Sequence, residues 1–120
     1  MNNRQLLGKY GEDIACKYLC DNGYKIIERN FLCMQGEIDI IAYDISLKEL
    51  VFFEVKTRKN FRYGNPSEAV TKIKKRHIIK TIEYYLFSKC INEVFIRIDV
   101  IEIVFNKNTY KLNHLKKVLQ

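Results

Sequence analysis

Proline occurs once in the 120 residues, and nearly half of the chain, 48%, is hydrophobic. No repeat, linker or low-complexity segment divides the chain, which excludes a disordered polymer and leaves one folded domain over residues 1–120 with a single core. The four cysteines (Cys16, Cys20, Cys33 and Cys90) show no CxxC spacing, and only His77 comes near one of them in sequence. That pattern argues against a zinc site and for reduced thiols. No stretch approaches membrane-spanning length, and Met1 to Asp13 holds no apolar signal core, so a cytoplasmic protein without a membrane partner is expected. Acids are in deficit. Against 21 Lys and Arg there are 14 Asp and Glu, a formal charge of +7 that points to a polyanionic partner more than to a neutral metabolite. A basic surface that merely keeps the protein soluble is the alternative on charge alone.

The stretch with most to say is Leu50-Val51-Phe52-Phe53-Glu54-Val55-Lys56-Thr57-Arg58. Apolar, β-branched and aromatic residues without a breaker predict a strand. Alternation then sets Val51, Phe53 and Val55 on one face and Phe52, Glu54 and Lys56 on the other. A carboxylate and an ammonium therefore stand side by side, roughly 7 Å apart at Cβ.

A second strand, Gly36-Glu37-Ile38-Asp39-Ile40-Ile41-Ala42-Tyr43, is joined to the first by the polar residues Asp44 to Glu49, so an antiparallel hairpin is the economical connection. If Tyr43 faces Leu50, then Asp39 faces Glu54 and Glu37 faces Lys56. Glu37 and Lys56 make an ordinary cross-strand charge pair, whereas Asp39 and Glu54 repel. At about 5 Å and an effective dielectric of about 20 the cost is on the order of 3 kcal/mol. Domains are stable by only roughly 5–15 kcal/mol, so a divalent cation or a shared proton is expected to offset it.

The rest of the chain supplies a frame. Leu7, Tyr10, Ile14, Tyr18 and Leu19 recur at helical spacing, predicting a helix over Asn3 to Asn22 that Gly23 caps, with Glu12 at the edge of the apolar stripe. Tyr24 to Leu32 reads as a strand. Thr57 to Gly64 is a loop in which Arg58, Lys59 and Arg62 interleave with Phe61 and Tyr63, a composition suited to phosphate contact and base stacking. Asn65-Pro66-Ser67-Glu68 announces a helix running to about Ser88, with Val70, Ile73, Ile82, Tyr85 and Leu86 as its buried stripe. Its first half is strongly basic (Lys72, Lys74, Lys75, Arg76, Lys80), which favours a phosphate-facing surface. His77 among them reads as packing or solvated rather than as a ligand. Val94 to Phe105 predicts a long strand with Arg97 and Asp99 on one face, and Leu112, Leu115, Val118 and Leu119 predict a short closing helix.

Helix, three strands, helix, strand is an α/β fold in which helices flank a small mixed sheet. An acid on one strand and Glu-Val-Lys on the next, within that order, resembles the PD-(D/E)xK superfamily of restriction-endonuclease-like nucleases. The fuller pattern is Gly11-Glu12, Gly36-Glu37-Ile38-Asp39, Glu54-Val55-Lys56-Thr57-Arg58, Glu68-Ala69-Val70 with Lys74, Arg97-Ile98-Asp99-Val100 and His114-Leu115-Lys116. Together these resemble the YraN-like family of bacterial endonuclease-like proteins over almost the whole chain.

The resemblance implies an αβββαβ core and a Mg²⁺- or Mn²⁺-dependent nuclease acting on DNA, structured or branched DNA included. It implies Asp39 and Glu54 as metal-binding carboxylates joined by the Val55 carbonyl. Lys56 would orient or deprotonate the attacking water, Glu12 would be an additional acid helping to hold the metal, and Lys74 a substrate contact near the scissile phosphate. Arg58, Arg62, Lys72, Lys75 and Arg76 complete the expected nucleic-acid surface, and a symmetric junction substrate would call for a homodimer. Two other readings stand beside the nuclease: a nucleic-acid-binding module that keeps the fold without turnover, and an interaction protein whose acids are structural.

Overall fold

The structure is a computed structural model that describes residues 3–59 and 72–119, with side chains from residue 7 onward. Phe61, Arg62 and Tyr63, the Asn65-Pro66-Ser67-Glu68 cap and Val70 lie outside the described residues.

Helix α1 (Asn3–Asp21) opens the fold. It ends where the chain reaches Gly23, whose φ of +85° is costly for any side chain, and Asn22 closes the last turn by donating its backbone N–H to the Leu19 carbonyl at 3.1 Å. Three strands follow, β1 (Tyr24–Cys33), β2 (Gly36–Asp44) and β3 (Glu49–Arg58), then helix α2 (Lys72–Ser88), β4 (Phe95–Asn106) and β5 (Thr109–Leu115). The sheet order is the chain order, β1-β2-β3-β4-β5. Every neighbouring pair is antiparallel except β3 with β4, which run parallel. That parallel pair needs a crossover, and α2 lies within it.

The two faces of β3 fill two cores, as its alternation predicts. Val51 and Phe53 pack with Ala15 and Leu19 of α1 and with Ile101 and Ile103, while Leu50 and Phe52 pack with Ile78, Ile82 and Tyr85 of α2. The β2–β3 register is the expected one: Tyr43 faces Leu50, and the ladder runs to Ile40 opposite Phe53. It stops one step short of Asp39 and Glu54.

Beyond β4 the structure corrects the sequence reading. Residues 109–115 form strand β5 rather than a closing helix. Asn106 pairs with Thr109 across a two-residue turn whose Lys107 has φ +56°, and β5 continues to Leu115 opposite Val100. The reason is the open edge of β4, which offers a row of backbone donors and acceptors that an isolated helical turn would leave unpaired. Leu112 packs on the α1-side core, and Val118 and Leu119 reach the α2-side core after the strand has ended.

Arg97, whose partners sequence alone left open, is buried in a polar knot. Its guanidinium donates to Asp99 (Nε to Oδ1, 2.9 Å), Asp44 (3.0 Å), Glu49 (3.0 Å) and the Tyr24 hydroxyl (2.6 Å). Asp99 is fully buried and also meets His114 Nε2 at 2.7 Å and the Lys117 backbone N–H at 3.1 Å. Burial pushes the Asp99 carboxyl up, but the bonds from His114, Arg97 and Lys117 outweigh it and hold the pKa below the usual value. This knot ties the start of β4 to the β2–β3 turn and to the segment after β5.

Candidate functional site

Where the β2–β3 ladder ends, its next hydrogen bond is made by a side chain. The Val55 backbone N–H donates to Asp39 Oδ2 at 2.8 Å. The strand alternation of β2 also breaks here, because Ile38 and Ile41 both join the α2-side core. Asp39 is thereby turned toward β3 beside Glu54. Its pKa is raised to about 7: burial is the largest cause, the Glu54 charge adds to it, the Val55 N–H opposes it, and Glu12 and Glu37 add smaller repulsions. The repulsion expected from the sequence is present as the second cause, after burial, of a proton held on Asp39 to near neutral pH.

Glu54 is half-buried on the α2 side, and its Oε1 lies 3.1 Å from Lys56 Nζ and 3.6 Å from Lys74 Nζ. Lys74 comes from the first turn of the described part of α2, and the crossover brings it to the residue pair on β3. For Lys56, burial works against the charge, but the hydrogen bond with Lys74 and the carboxylates of Glu54 and Asp39 hold its pKa above the usual value. Lys74 moves the other way, lowered by that bond with Lys56, by burial and by repulsion from the Lys56 charge.

Glu12 reaches the edge of this group from α1. Gly11 is what lets the helix come so close: a Cβ there would collide with Thr57 Cγ2 of β3. Burial raises the Glu12 pKa against the opposing charge of Arg29, 3.7 Å away, and against a hydrogen bond with Asn30. Arg29 itself lies closer to Asp13, at 2.8 Å. Asp39, Glu54, Lys56, Glu12 and Lys74 are thus brought together. Lys72 and Arg76 are exposed on α2 and Lys75 is half-buried, outside that group, and Arg58 closes β3 opposite Val104 of β4. Arg62 lies outside the described residues.

For a metal ion the donors are hard oxygens, which suits Mg²⁺ or Mn²⁺ and not zinc. Asp39 and Glu54 form a strained pair that a divalent cation would relieve. Among the described residues no three His, Cys, Asp or Glu side chains converge on one point. An ion held here would have two carboxylates and would need water for the rest of its shell, the kind of coordination Mg²⁺ accepts.

His77, read from the sequence as packing or solvated, is exposed on α2 but borders this group. Its Nδ1 lies 3.2 Å from the Gln35 carbonyl at the β1–β2 turn, and with Glu37, Glu54, Lys74 and Ile78 it lines a cleft of about 270 Å³ beside the acid pair. The available signal was helical spacing: Lys74, His77 or Ile78, and Thr81 share a face.

Fold and site define a mixed-sheet α/β domain, with two helices among the described residues and a carboxylate pair and two lysines gathered where its second and third strands part. The chain belongs to the UPF0102 family: residues 11–103 match the description "Uncharacterised protein family UPF0102", a span that includes Glu12, Asp39, Glu54, Lys56 and Lys74. Among similar proteins, a UPF0102 protein of Clostridium botulinum (strain Loch Maree / Type A3) is 45% identical over 117 residues, covering 95% of this chain and 94% of the relative. A UPF0102 protein of Clostridium perfringens (strain 13 / Type A) is 47% identical over 112 residues, covering 92% and 90%. The YraN-like resemblance in the sequence is borne out at this level.

Proposed function

We propose that this protein is a metal-dependent nuclease of the PD-(D/E)xK type that hydrolyses phosphodiester bonds in DNA. The observation that carries the reading is the pairing of Asp39 with Glu54 beside Lys56. A fold has no structural need of two neighbouring half-buried acids, one of which burial, and after it the charge of the other, raises to a pKa of about 7. An Mg²⁺ or Mn²⁺ ion held by Asp39, Glu54 and the Val55 carbonyl would supply Lewis acidity, neutralising charge on the phosphate and lowering the pKa of a water. Lys56 keeps its proton at neutral pH, because its pKa is raised. That suits it to hold the attacking water or a phosphate oxygen by charge rather than to abstract a proton. Lys74, the more easily neutralised of the two, faces Glu54 from the helix, which supports a role for it in meeting the substrate beside that acid. The net charge of +7 and the exposed cations of α2 draw a polyanion to this side.

The test is a panel of labelled duplex, flap, junction and single-stranded DNAs incubated with Mg²⁺ or Mn²⁺, wild type beside Glu54→Ala. Cutting by the wild type that the variant loses supports the nuclease. A wild type that binds DNA but cuts none of the panel in either metal removes it and leaves a nucleic-acid-binding module.

A further inference from the structure

His77 sits on α2 one turn beyond Lys74, among cations that face solvent (Lys72, Arg76 and Lys80). Nothing in that position alone marks it out, since an exposed histidine on a basic helix is most simply a solvated one. Three observations separate it from its neighbours.

First, the ring is anchored. Its Nδ1 lies 3.2 Å from the Gln35 carbonyl, and a carbonyl only accepts, so Nδ1 carries the hydrogen and donates it. The remaining polar atom of the ring is Nε2. Second, the backbone that carries the ring is fixed. Thr81 Oγ1 donates to the His77 carbonyl at 2.7 Å, and Gly36 lets the β1–β2 turn close onto this part of the helix. A Cβ at Gly36 would stand 2.9 Å from Thr81 Oγ1 and 3.8 Å from His77 Cβ, and its φ of +149° is one that side chains rarely adopt. Third, the anchored ring lines the same cleft of about 270 Å³ as Glu54 and Lys74, with Glu37 and Ile78 completing it. That is below the roughly 300–1,000 Å³ of pockets that enclose drug-sized ligands. Its lining carries two carboxylates and two nitrogen bases beside the one aliphatic side chain, Ile78.

We propose that His77 is a substrate-contacting residue of this site, its Nε2 meeting a phosphate oxygen of the bound nucleic-acid strand beside the Lys74 contact. The inference rests on the nuclease reading above only for the identity of the strand. In the neutral tautomer fixed by Gln35, Nε2 is an acceptor, so contact with a phosphate draws a proton onto the ring. The imidazolium then donates from both nitrogens, one to Gln35 and one to the phosphate. The pinned backbone spares the contact part of the ordering cost that a free surface side chain would bear on binding.

Two amide variants take the ring apart. In His77→Asn the amide can replace the Nδ1–H bond to Gln35 but leaves nothing where Nε2 stood. In His77→Gln the amide can reach the Nε2 position but gives up the Gln35 bond. Affinity for a short labelled DNA is measured in EDTA, so that no cutting intervenes, and cleavage is measured separately in Mn²⁺. At one fixed salt concentration the contact predicts His77→Gln within about threefold of wild type and His77→Asn about tenfold weaker, and in both variants a salt dependence shallower by about one unit, because neither amide carries charge. In Mn²⁺ the His77→Asn loss falls on KM and leaves kcat within about twofold, as for an interaction made equally in ground and transition states. Wild-type affinity in His77→Asn overturns the proposal. So does the reverse order, with Gln weak and Asn normal, because it makes His77 only a pin between turn and helix. The two readings fail separately. Binding without cutting removes the nuclease while the affinity order of the two variants still decides His77, and a wild type that binds no DNA removes both.

Discussion

Asp39 accepts the backbone N–H of Val55 at 2.8 Å, one residue along β3 from the carboxylate it repels. The bond holds the side chain half-buried beside Glu54, and burial first and the Glu54 charge second raise its pKa. Folded Asp39 holds its proton up to about pH 7, whereas an unfolded Asp gives it up near about 3.9. Between those values the folded chain binds the extra proton, so this group's contribution to stability falls as pH rises through the window. Asp39→Asn keeps an oxygen for Val55 and removes the charge. It is expected to melt higher than wild type at about pH 8, to lose part of the slope between about pH 5 and 8, and to lose any rise in Tm on adding Mn²⁺. Thermal melts across pH check this. An Asn variant less stable than wild type at about pH 8 would make Asp39 a structural partner instead of a ligand.

Lys56→Ala should separate chemistry from binding. Its ammonium lies 3.1 Å from Glu54 and keeps its charge, and the nuclease reading proposed above assigns it to the charge that would develop on the phosphate during cleavage. DNA binding within a few-fold of wild type and cutting slower by about a hundredfold or more are expected, about 3 kcal/mol of transition-state stabilisation. Single-turnover rates beside equilibrium binding provide the measurement. A loss confined to affinity would make Lys56 one phosphate contact among many.

The close approach of α1 to β3 gives a purely mechanical expectation. Gly11→Ala drives a methyl into Thr57 Cγ2 and should destabilise by about 1–3 kcal/mol through overpacking. Thr57→Ser removes the methyl that is struck, so the double variant should recover most of the loss. Denaturant unfolding of the four proteins tests the coupling, and strict additivity would show that the two sites do not touch.

The Arg97 knot should matter to stability and not to the site. Arg97→Met leaves Asp99 and Asp44 buried without their cation, and removing one partner of such a group costs about 3–5 kcal/mol. The variant should unfold at lower denaturant, while its Mn²⁺ response at the Asp39–Glu54 pair persists at a temperature where it is folded. Disappearance of the metal response in the folded variant would join the knot to the site.

The exposed cations of α2 form a separate surface. Reversing Lys72 and Arg76 to Glu should weaken DNA binding broadly and flatten its salt dependence by about one unit for each phosphate the helix no longer neutralises. Binding titrations at several salt concentrations measure the slope, and an unchanged slope would place the nucleic-acid face elsewhere.

The sequence by itself determined whatever depends on periodicity and local chemistry. Alternation in Leu50 to Arg58 placed Glu54 and Lys56 on one face, and Asp44 to Glu49 set the hairpin whose register from Tyr43–Leu50 to Ile40–Phe53 is found in the structure. Gly23 ended α1 because its backbone angle admits little else. Tertiary structure decided the rest. Residues 109–115 carry apolar positions compatible with a helix, and they became β5 only because the edge of β4 required a partner. Arg97 and Asp99 were legible as an unusual pair in an apolar strand, yet Asp44, Glu49, Tyr24 and His114 come from four other places in the chain, and nothing local predicts their meeting. His77 read as one more side chain on a basic helix until the turn at Gln35 and Gly36 closed on it. Local propensity acts over a turn or a hairpin, whereas a site assembled across a parallel crossover depends on packing that only the whole fold supplies.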